Sequence, residues 1–273
     1  MLFTISDEKC TYCGVCAEVC PTRVIEMKDQ NAVPVPSADA ETRCINCGHC
    51  VAVCPHGAFS LESMPVEKCL PVREEILVTP ETFEHFTRAR RSVRTFKDEP
   101  VRREDLAKLI NLARFAPTGS NSQEVKWIVV HEKPHVLQIS GMVADFLRSE
   151  IAKAPDSPQA NRLQRVVTIQ ESGFDYICRG APHLILAYAP DNRGAGDCII
   201  AATYLELAAF STGLGPCWGG YIMFAARNNW PELRRFLKVP ENNTVYAAMM
   251  IGRPRYRYRR LPLRNEAEVK WID

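Results

Sequence analysis

Eight cysteines in two short runs are the residues of this sequence whose types and spacing point most clearly to chemistry. The runs read Cys10-x2-Cys13-x2-Cys16-x3-Cys20-Pro and Cys44-x2-Cys47-x2-Cys50-x3-Cys54-Pro. Three closely spaced thiolates wrap a cubic iron–sulfur cluster, and the fourth cysteine of such a run, before proline, ligates the other cluster. The spacing therefore predicts two [4Fe–4S] clusters, one held by Cys10, Cys13, Cys16 and Cys54, the other by Cys44, Cys47, Cys50 and Cys20.

Zinc is the alternative occupant, because cysteine pairs two residues apart also make zinc knuckles. Zinc takes two separated pairs of ligands, whereas each run here offers three closely spaced thiolates and a fourth nearby. Gly14 and Gly48 fit the tight loop whose amides donate to cluster sulfurs. The repeat resembles a bacterial-type ferredoxin over residues 1–63, which implies a small domain that transfers single electrons.

A second group of residues suits a phosphate. Arg90, Arg91, Ser92 and Arg94 place three guanidinium groups and a hydroxyl within five residues. Guanidinium forks and hydroxyls donate well to phosphate oxygens. The alternative is that these cations only complement the dipole at the end of a helix.

Three later segments add to this motif. They are the amide- and hydroxyl-rich loop 116–123, the glycine-rich stretch 213–220 and the basic stretch 252–262. In this order and at these separations, the four segments resemble the FMN-dependent nitroreductase family over residues 84–263. The resemblance implies an intertwined homodimer with FMN at the subunit interface.

The resemblance also implies roles for individual residues. Those matching the family's cofactor contacts are Arg90, Arg91, Ser92 and Arg94 for the phosphate and ribityl chain, Asn121, Ser122 and Gln123 for the ring, Gly219 and Gly220 for flavin N5, and Arg259 and Arg260 for closure over the phosphate. The sequence departs from the family at Glu124–Lys126, where proline and an aromatic residue are common, and at Gly219, where many relatives have an acidic residue. No catalytic side chain is assigned, because the flavin supplies the chemistry.

Charge and periodicity divide the chain. Residues 1–87 carry a net charge of −7 and the remainder +9, for a total of +2. We expect a ferredoxin domain over residues 1–63, a linker over 64–83 and a nitroreductase-like domain over 84–273. Apolar patterns predict helices over 104–115, 198–210 and 231–237 and strands over 127–130, 183–188 and 246–251. This order of elements indicates an α+β or α/β fold with a layered sheet. The resemblance implies the α+β class, with a nitroreductase-like mixed sheet flanked by helices.

The segment 142–180 is charged and weakly periodic. In the resembling family, insertions of this kind cover the flavin and shape the substrate pocket. Phe146, Phe174 and Tyr176 are candidates for stacking on the ring, the alternative being that they are core aromatics. Asp197 is interpreted as the N-cap of the helix that follows it.

The two halves together predict an oxidoreductase. Electrons enter through the clusters, pass singly to FMN, and leave in pairs to a small acceptor such as a nitro compound, quinone or enone. In the reverse flow, NAD(P)H reduces FMN and the clusters export the electrons. An external ferredoxin is the other candidate donor. The alternative is an electron-transfer module that docks a larger redox partner and has no small substrate. Alternation of arginine with Tyr256 and Tyr258 suits single-stranded nucleic acid; the arginines are Arg253, Arg255, Arg257, Arg259 and Arg260. Phosphate closure and ordinary surface charge explain the same residues better, so no nucleic-acid partner is expected. With no signal-peptide pattern or long apolar run, we expect a cytoplasmic protein without a membrane span.

Overall fold

The computed structural model describes residues 2–190 and 194–273, which form two compact units. The first unit contains the chain up to Leu77 together with Ser120–Ser122, and the second contains Val78–Gly119 and the chain from Gln123 onward. Each unit has its own buried apolar cluster, so each is described by itself.

The first unit is built from short elements that repeat. Its strands are β1 (Phe3–Ile5), β2 (Ile25–Glu26), β3 (Val35–Pro36) and β4 (Phe59–Leu61), and its helices are α1 (Val15–Glu18), α2 (Ala40–Arg43) and α3 (His49–Val53). The first strand pairs antiparallel with the fourth, and the second with the third. The rings of Phe3 and Phe59, 4.6 Å apart, lie in its small core beside Cys20 and Cys50. Cysteines thus contribute to the packing of a unit with little other apolar material.

The second unit is a sheet covered by helices. Its helices are α4 (Pro80–Ala89), α5 (Arg103–Ala113), α6 (Lys133–Lys153), α7 (Pro158–Glu171), α8 (Gly194–Ser211), α9 (Gly220–Arg227) and α10 (Pro231–Leu237). Its strands are β5 (Lys126–Val130), β6 (His183–Pro190), β7 (Gly215–Trp218) and β8 (Asn243–Gly252), in the spatial order β5-β6-β8-β7. The α+β class is confirmed.

All three ladders of this sheet are antiparallel, which corrects the expectation of a mixed sheet. The connections explain the pairing. Two helices separate β5 from β6 and again β7 from β8, so the chain returns in the opposite direction. A single helix, α8, separates β6 from β7; these two strands run the same way but do not pair, because β8 lies between them.

Both faces of the sheet are buried. Ile185, Met249 and Ile251 pack with α5 and α8, whereas Leu184 and Met250 pack with α6 and α9 on the other face. This alternation follows from the two-residue side-chain period of a strand. A strand covered on both faces is apolar throughout, as the sequence of β6 indicated.

The sequence predicted some elements closely and missed others. The helix over 231–237 coincides with α10. The stretch 213–220, expected to be a loop, contains the edge strand β7. The segment 142–180 contains the end of α6 and all of α7. Its periodicity looked weak because the segment begins in the middle of α6, so only part of the apolar face of that helix falls within it.

A pair of histidines joins the start of β6 to the segment before α5. The N–H of Val101 donates to Nε2 of His183 at 2.7 Å, so Nδ1 of His183 carries its proton and donates to the carbonyl of His131 at 2.6 Å. The two imidazole rings stack at 4.6 Å. Burial lowers the pKa of His183 below its usual value, and this effect outweighs the hydrogen bond to the His131 carbonyl, which raises it.

This pKa shift predicts a loss of stability in mild acid. Because the unfolded chain binds a proton at His183 near pH 6.5 and the folded chain only at lower pH, unfolding takes up a proton between those two values. We expect the thermal midpoint to fall as the pH drops from about 7.5 to about 5.5. His183→Gln should flatten this profile while costing about 1–3 kcal/mol overall, measured by circular dichroism.

His135→Gln is the matched control, because His135 is exposed. It should leave the slope of the profile unchanged. A His183→Gln profile as steep as that of the unaltered chain would contradict the assignment.

Candidate functional site

The eight predicted cysteines of the first unit line two separate cavities, in crossed sets. One cavity is lined by Cys10, Cys13, Cys16 and Cys54, and the other by Cys20, Cys44, Cys47 and Cys50. Each set thus combines three cysteines of one run with the last cysteine of the other. Within the described residues, no three such side chains converge closely enough to hold a single metal ion, so each set surrounds a space.

The loops around the two cavities have matching backbone conformations. Tyr12 and Gly14 have φ of 58° and 72°, and Asn46 and Gly48 have φ of 52° and 74°. Alternating left-handed residues turn successive N–H groups toward one side, the kind of nest that receives anionic groups such as cluster sulfurs. At Gly48 the requirement is also steric, because a Cβ would lie 2.6 Å from Sδ of Met64.

Burial changes the ionisation of two thiols in these cavities. Burial raises the pKa of Cys50 to about 12 and also raises the pKa of Cys16. A buried thiol keeps its proton unless a metal centre replaces it. The donor set, the crossed membership of the two cavities and the left-handed loop residues therefore fit two [4Fe–4S] clusters.

In the second unit, the arginine motif is tied to a buried carboxylate. Nη1 of Arg90 lies 2.8 Å from Oε1 of Glu206, and Nε1 of Trp218 donates to Oε2 of Glu206 at 3.1 Å. Glu206 is 7% exposed and lies in the middle of α8. The sequence analysis missed Glu206, although it is the only acidic residue between Cys198 and Phe210 in an otherwise apolar helix.

The backbone after Arg90 runs beside β7. The N–H of Val93 donates to the carbonyl of Pro216 at 2.9 Å. Gly215 permits this approach, because a Cβ there would lie 2.7 Å from the Val93 side chain. The N-terminal motif and the strand before Gly219 are therefore neighbours.

The motif also meets the C-terminal basic stretch. Arg91 lines an open cavity of about 570 Å³ together with Arg255 and Arg257. The predicted Arg259 and Arg260 are exposed in the extended C-terminal segment and are not among the residues that line this cavity. The sequence analysis included Arg255 and Arg257 in the basic stretch that closes over the phosphate, but it assigned individual cofactor contacts only to Arg259 and Arg260.

The predicted ring-contact loop is held in an unusual conformation. Ser120, Asn121 and Gln123 all have positive φ, between 51° and 53°. Such residues cost about 1–3 kcal/mol each and occur most often at functional sites. The N–H of Gly119 donates to the carboxylate of Asp197. Asp197 lies in the first turn of α8, three residues after the helix begins, so the prediction that it is the N-cap of this helix is wrong.

The amide nitrogen of Asn121 donates to the carbonyls of Ile45 and Asn46, at 3.0 and 2.9 Å, within the first unit. Gln123 belongs to the second unit, where its N–H donates to Oγ1 of Thr118 at 3.1 Å. Contact with a flavin ring stays a prediction for Asn121, Ser122 and Gln123.

Gly219 and Gly220 lie at the start of α9, beside a second open cavity. The N–H of Gly219 donates to the carbonyl of Ala248 at 2.8 Å, and a Cβ on Gly220 would meet nothing within 4 Å. The cavity measures about 530 Å³ and is lined by Gly220, Trp218 and Arg94, among others. It therefore brings together residues predicted from two motifs more than 120 positions apart.

Part of the remaining lining of this cavity comes from α7 and the loop after it. Tyr176 lines the cavity, with the guanidinium of Arg179 3.9 Å from its ring centre. Of the other stacking candidates, Phe146 lies in the core against α9, and Phe174 is 53% exposed. The sequence analysis missed Arg162 and Arg179, which also line the cavity, because charged residues in a weakly periodic segment resemble ordinary surface.

The residues present fit a bound FMN. Arg94 supplies a phosphate donor, Gly220 lets backbone approach a planar ring, and Trp218 and Met250 offer apolar contact. Cys217, next to Trp218, is buried, and burial raises its pKa, so it is interpreted as a small core residue. Among the helices described, none is long and apolar enough to cross a membrane.

Comparison with known proteins identifies the family. The sequence model of the nitroreductase family matches residues 87–253, and that of a 4Fe-4S dicluster domain matches residues 9–58. The FMN reductase (NAD(P)H) of Bacillus subtilis is 29% identical over 191 residues, covering 63% of this chain and 66% of that protein.

Two further relatives agree with this assignment. Nitroreductase NfnB of Mycolicibacterium smegmatis is 28% identical over 186 residues, covering 55% of this chain and 75% of that protein. A solved nitroreductase with bound FMN from Bacteroides fragilis is similar over 70% of this chain and 96% of its own, at 25% identity and a TM-score of 0.54. Because the family match spans more than half of the chain, this protein is an oxidoreductase of the nitroreductase family with an N-terminal 4Fe-4S dicluster domain.

Proposed function

We propose that this chain is an iron–sulfur flavoprotein that passes electrons between two [4Fe–4S] clusters and FMN and reduces a small organic acceptor by two electrons. The observation that supports this most is that one chain contains two four-cysteine cavities and an open cavity lined by both Arg94 and Gly220. Sharing one chain keeps the two kinds of centre at high effective concentration.

The residues have separate tasks in this proposal. When bound, the clusters carry single electrons and FMN supplies exchange between single electrons and pairs. The two crossed cysteine sets hold the clusters. Arg94 lines the cavity beside Gly220, whereas Arg91 lines a separate cavity with Arg255 and Arg257. Together, Arg90, Arg91, Ser92 and Arg94 hold the ribityl chain and the phosphate. Arg259 and Arg260 close over it in the homodimer that we propose.

The acceptor occupies the remaining space of the cavity beside Gly220. Reduction of a quinone there consumes two electrons and two protons and gives a hydroquinone. Reduction of a nitro group consumes the same and gives a nitroso group and water. The electrons come from NAD(P)H or from an external ferredoxin, and solvent supplies the protons.

Mixing with nicotinamide under anaerobic conditions tests the direction of electron entry. If NAD(P)H is the donor, NADH or NADPH should bleach the flavin band of the purified holoprotein promptly, and menadione or nitrofurazone should restore it. If the band stays while reduced ferredoxin bleaches it, electrons enter through the clusters. Bleaching by either donor without reoxidation by any small acceptor would contradict the proposed reductase and favour docking to a redox partner.

Pairs of cysteine substitutions test the crossed ligation. Cys54→Ser combined with Cys13→Ser removes two ligands of one cluster, so about half of the iron should remain. Cys54→Ser combined with Cys47→Ser, the position equivalent to Cys13 in the second run, removes one ligand from each and should cost nearly all of it. Iron analysis and electron paramagnetic resonance measure both. The reverse pattern would show that each run holds its own cluster.

A third prediction concerns Arg90. Glu206 fixes one Nη of its guanidinium and leaves the other donors available for a phosphate. Arg90→Ala should weaken FMN retention by about tenfold or more without changing the iron content.

Glu206→Gln should destabilise the second unit by about 3 kcal/mol, because it leaves a largely buried cation without a counter-charge.

The exposed pair of Arg88 and Glu84, 2.6 Å apart, gives the matched controls. Arg88→Ala should keep FMN, and Glu84→Gln should cost less than about 1 kcal/mol. Equal effects of the two arginine substitutions on FMN retention, measured by ultrafiltration, would contradict the role of Arg90.

A further inference from the structure

The open cavity beside Gly220 has a one-sided charge. Its lining includes Arg94, Arg162 and Arg179, and none of the described residues that line it is acidic. Low-dielectric walls around charges of one sign focus the field and concentrate ligands of the opposite sign. The lining alone therefore favours an anion.

Arg162 and Arg179 have no carboxylate partner among the described residues. Two arginines elsewhere in the second unit show the contrast: Arg90 pairs with Glu206, and Arg148 pairs with both Asp145 and Glu171. Arg162 lies in α7 and Arg179 in the loop after it, on elements that none of the FMN motifs uses. These two cations are thus available to a second anionic group.

Both cations lie near a phenol in the cavity. Burial raises the pKa of Tyr221, Tyr176 adds to the rise, and the charges of Arg179 and Arg162 oppose it. The rings of Tyr176 and Tyr221 are 6.4 Å apart, and Arg179 lies over the face of Tyr176. Flat aromatic surface and positive charge therefore occur together.

The loop that carries Arg179 is fixed before any ligand arrives. Oδ1 of Asp175 accepts from the N–H of Cys178 at 3.0 Å and from Oγ of Ser140 at 2.6 Å, and Oδ2 accepts from the N–H of Gly180 at 2.9 Å. Oε1 of Gln170 accepts from the N–H of Tyr176 at 2.9 Å. A loop held in this way binds with little loss of conformational entropy.

We propose that the acceptor reduced here is an aromatic or conjugated carboxylate, whose anionic group binds Arg162 and Arg179 while its planar part lies against Tyr176 and Tyr221. This inference rests on the proposed function and names its substrate class. For a nitroarene carboxylate, two electrons and two protons convert the nitro group to a nitroso group and water, and the carboxylate is unchanged. NAD(P)H or dithionite supplies the electrons.

Binding of a non-reducible pair of ligands tests the anion site directly. Benzoate should bind the FMN-loaded protein at least about tenfold more tightly than benzamide, by calorimetry or by a shift of the flavin band. Arg162→Gln and Arg179→Gln should each weaken benzoate binding by about tenfold and leave benzamide unchanged. Arg165→Gln is the control, since Arg165 is exposed on α7 and is not among the cavity's lining residues.

Turnover gives the second readout. The KM for 4-nitrobenzoate should rise about tenfold in the Arg162→Gln and Arg179→Gln variants, with kcat and the KM for 4-nitrobenzamide little changed. Unequal effects on the two acceptors are expected only if the arginines contact the carboxylate.

Several outcomes would overturn the proposal. They are equal binding of benzoate and benzamide, equal effects of the Arg165→Gln control, and loss of FMN from the Arg162→Gln or Arg179→Gln variants, which would assign these arginines to the cofactor phosphate. Selective benzoate binding without turnover of any nitro compound would support the anion site and contradict the proposed reductase. Turnover of 4-nitrobenzoate and 4-nitrobenzamide with equal KM would support the proposed reductase and contradict the anion site.

Discussion

The antiparallel pairing of β6 with β8 is the constraint on which the second unit depends. Both strands are buried on both faces, so the sheet must be covered by two layers of helices rather than one. The outer edge of β8 pairs with β7, and the chain leaves β7 directly into Gly219. The hydrogen bond from Gly219 to Ala248 continues that ladder by one residue. The position of Gly219 and Gly220, the glycines predicted to lie at flavin N5, is therefore set by the core of the sheet.

A buried carboxylate connects this core to the arginine motif. Glu206 belongs to the helix that covers one face of the sheet, and it binds Arg90 on one side and Trp218 on the other. Burying a charge is costly unless it is paired and hydrogen-bonded, so the helix, the motif and β7 must be in place together. In the first unit, crossed pairs of cysteine runs have the same effect, because neither cavity is complete without both halves of the repeat.

The sequence predicted what depends on local spacing. Cysteine spacing indicated the two cavities and their crossed membership, and apolar runs indicated β6, α8 and α10. Residues whose role depends on a distant partner were not predictable. Glu206 has a function only because Arg90 lies beside it, and Arg179 lines a cavity only because Asp175 fixes its loop. The strand β7 was missed because glycine and proline at its start are typical of loops, and an edge strand tolerates them. Arg255 and Arg257 meet Arg91 only because residues 95–97 pair with 253–255.

The central claim is that one chain stores electrons in two clusters and one flavin. An anaerobic reductive titration of the purified holoprotein with dithionite tests it most directly. We predict uptake of about four electrons per chain, one for each cluster and two for FMN, with loss of absorbance in both the cluster and the flavin bands. Uptake of only about two electrons, with loss of absorbance in the flavin band alone, would contradict the account. Uptake of no electrons by a protein that contains zinc in place of iron would contradict it as well.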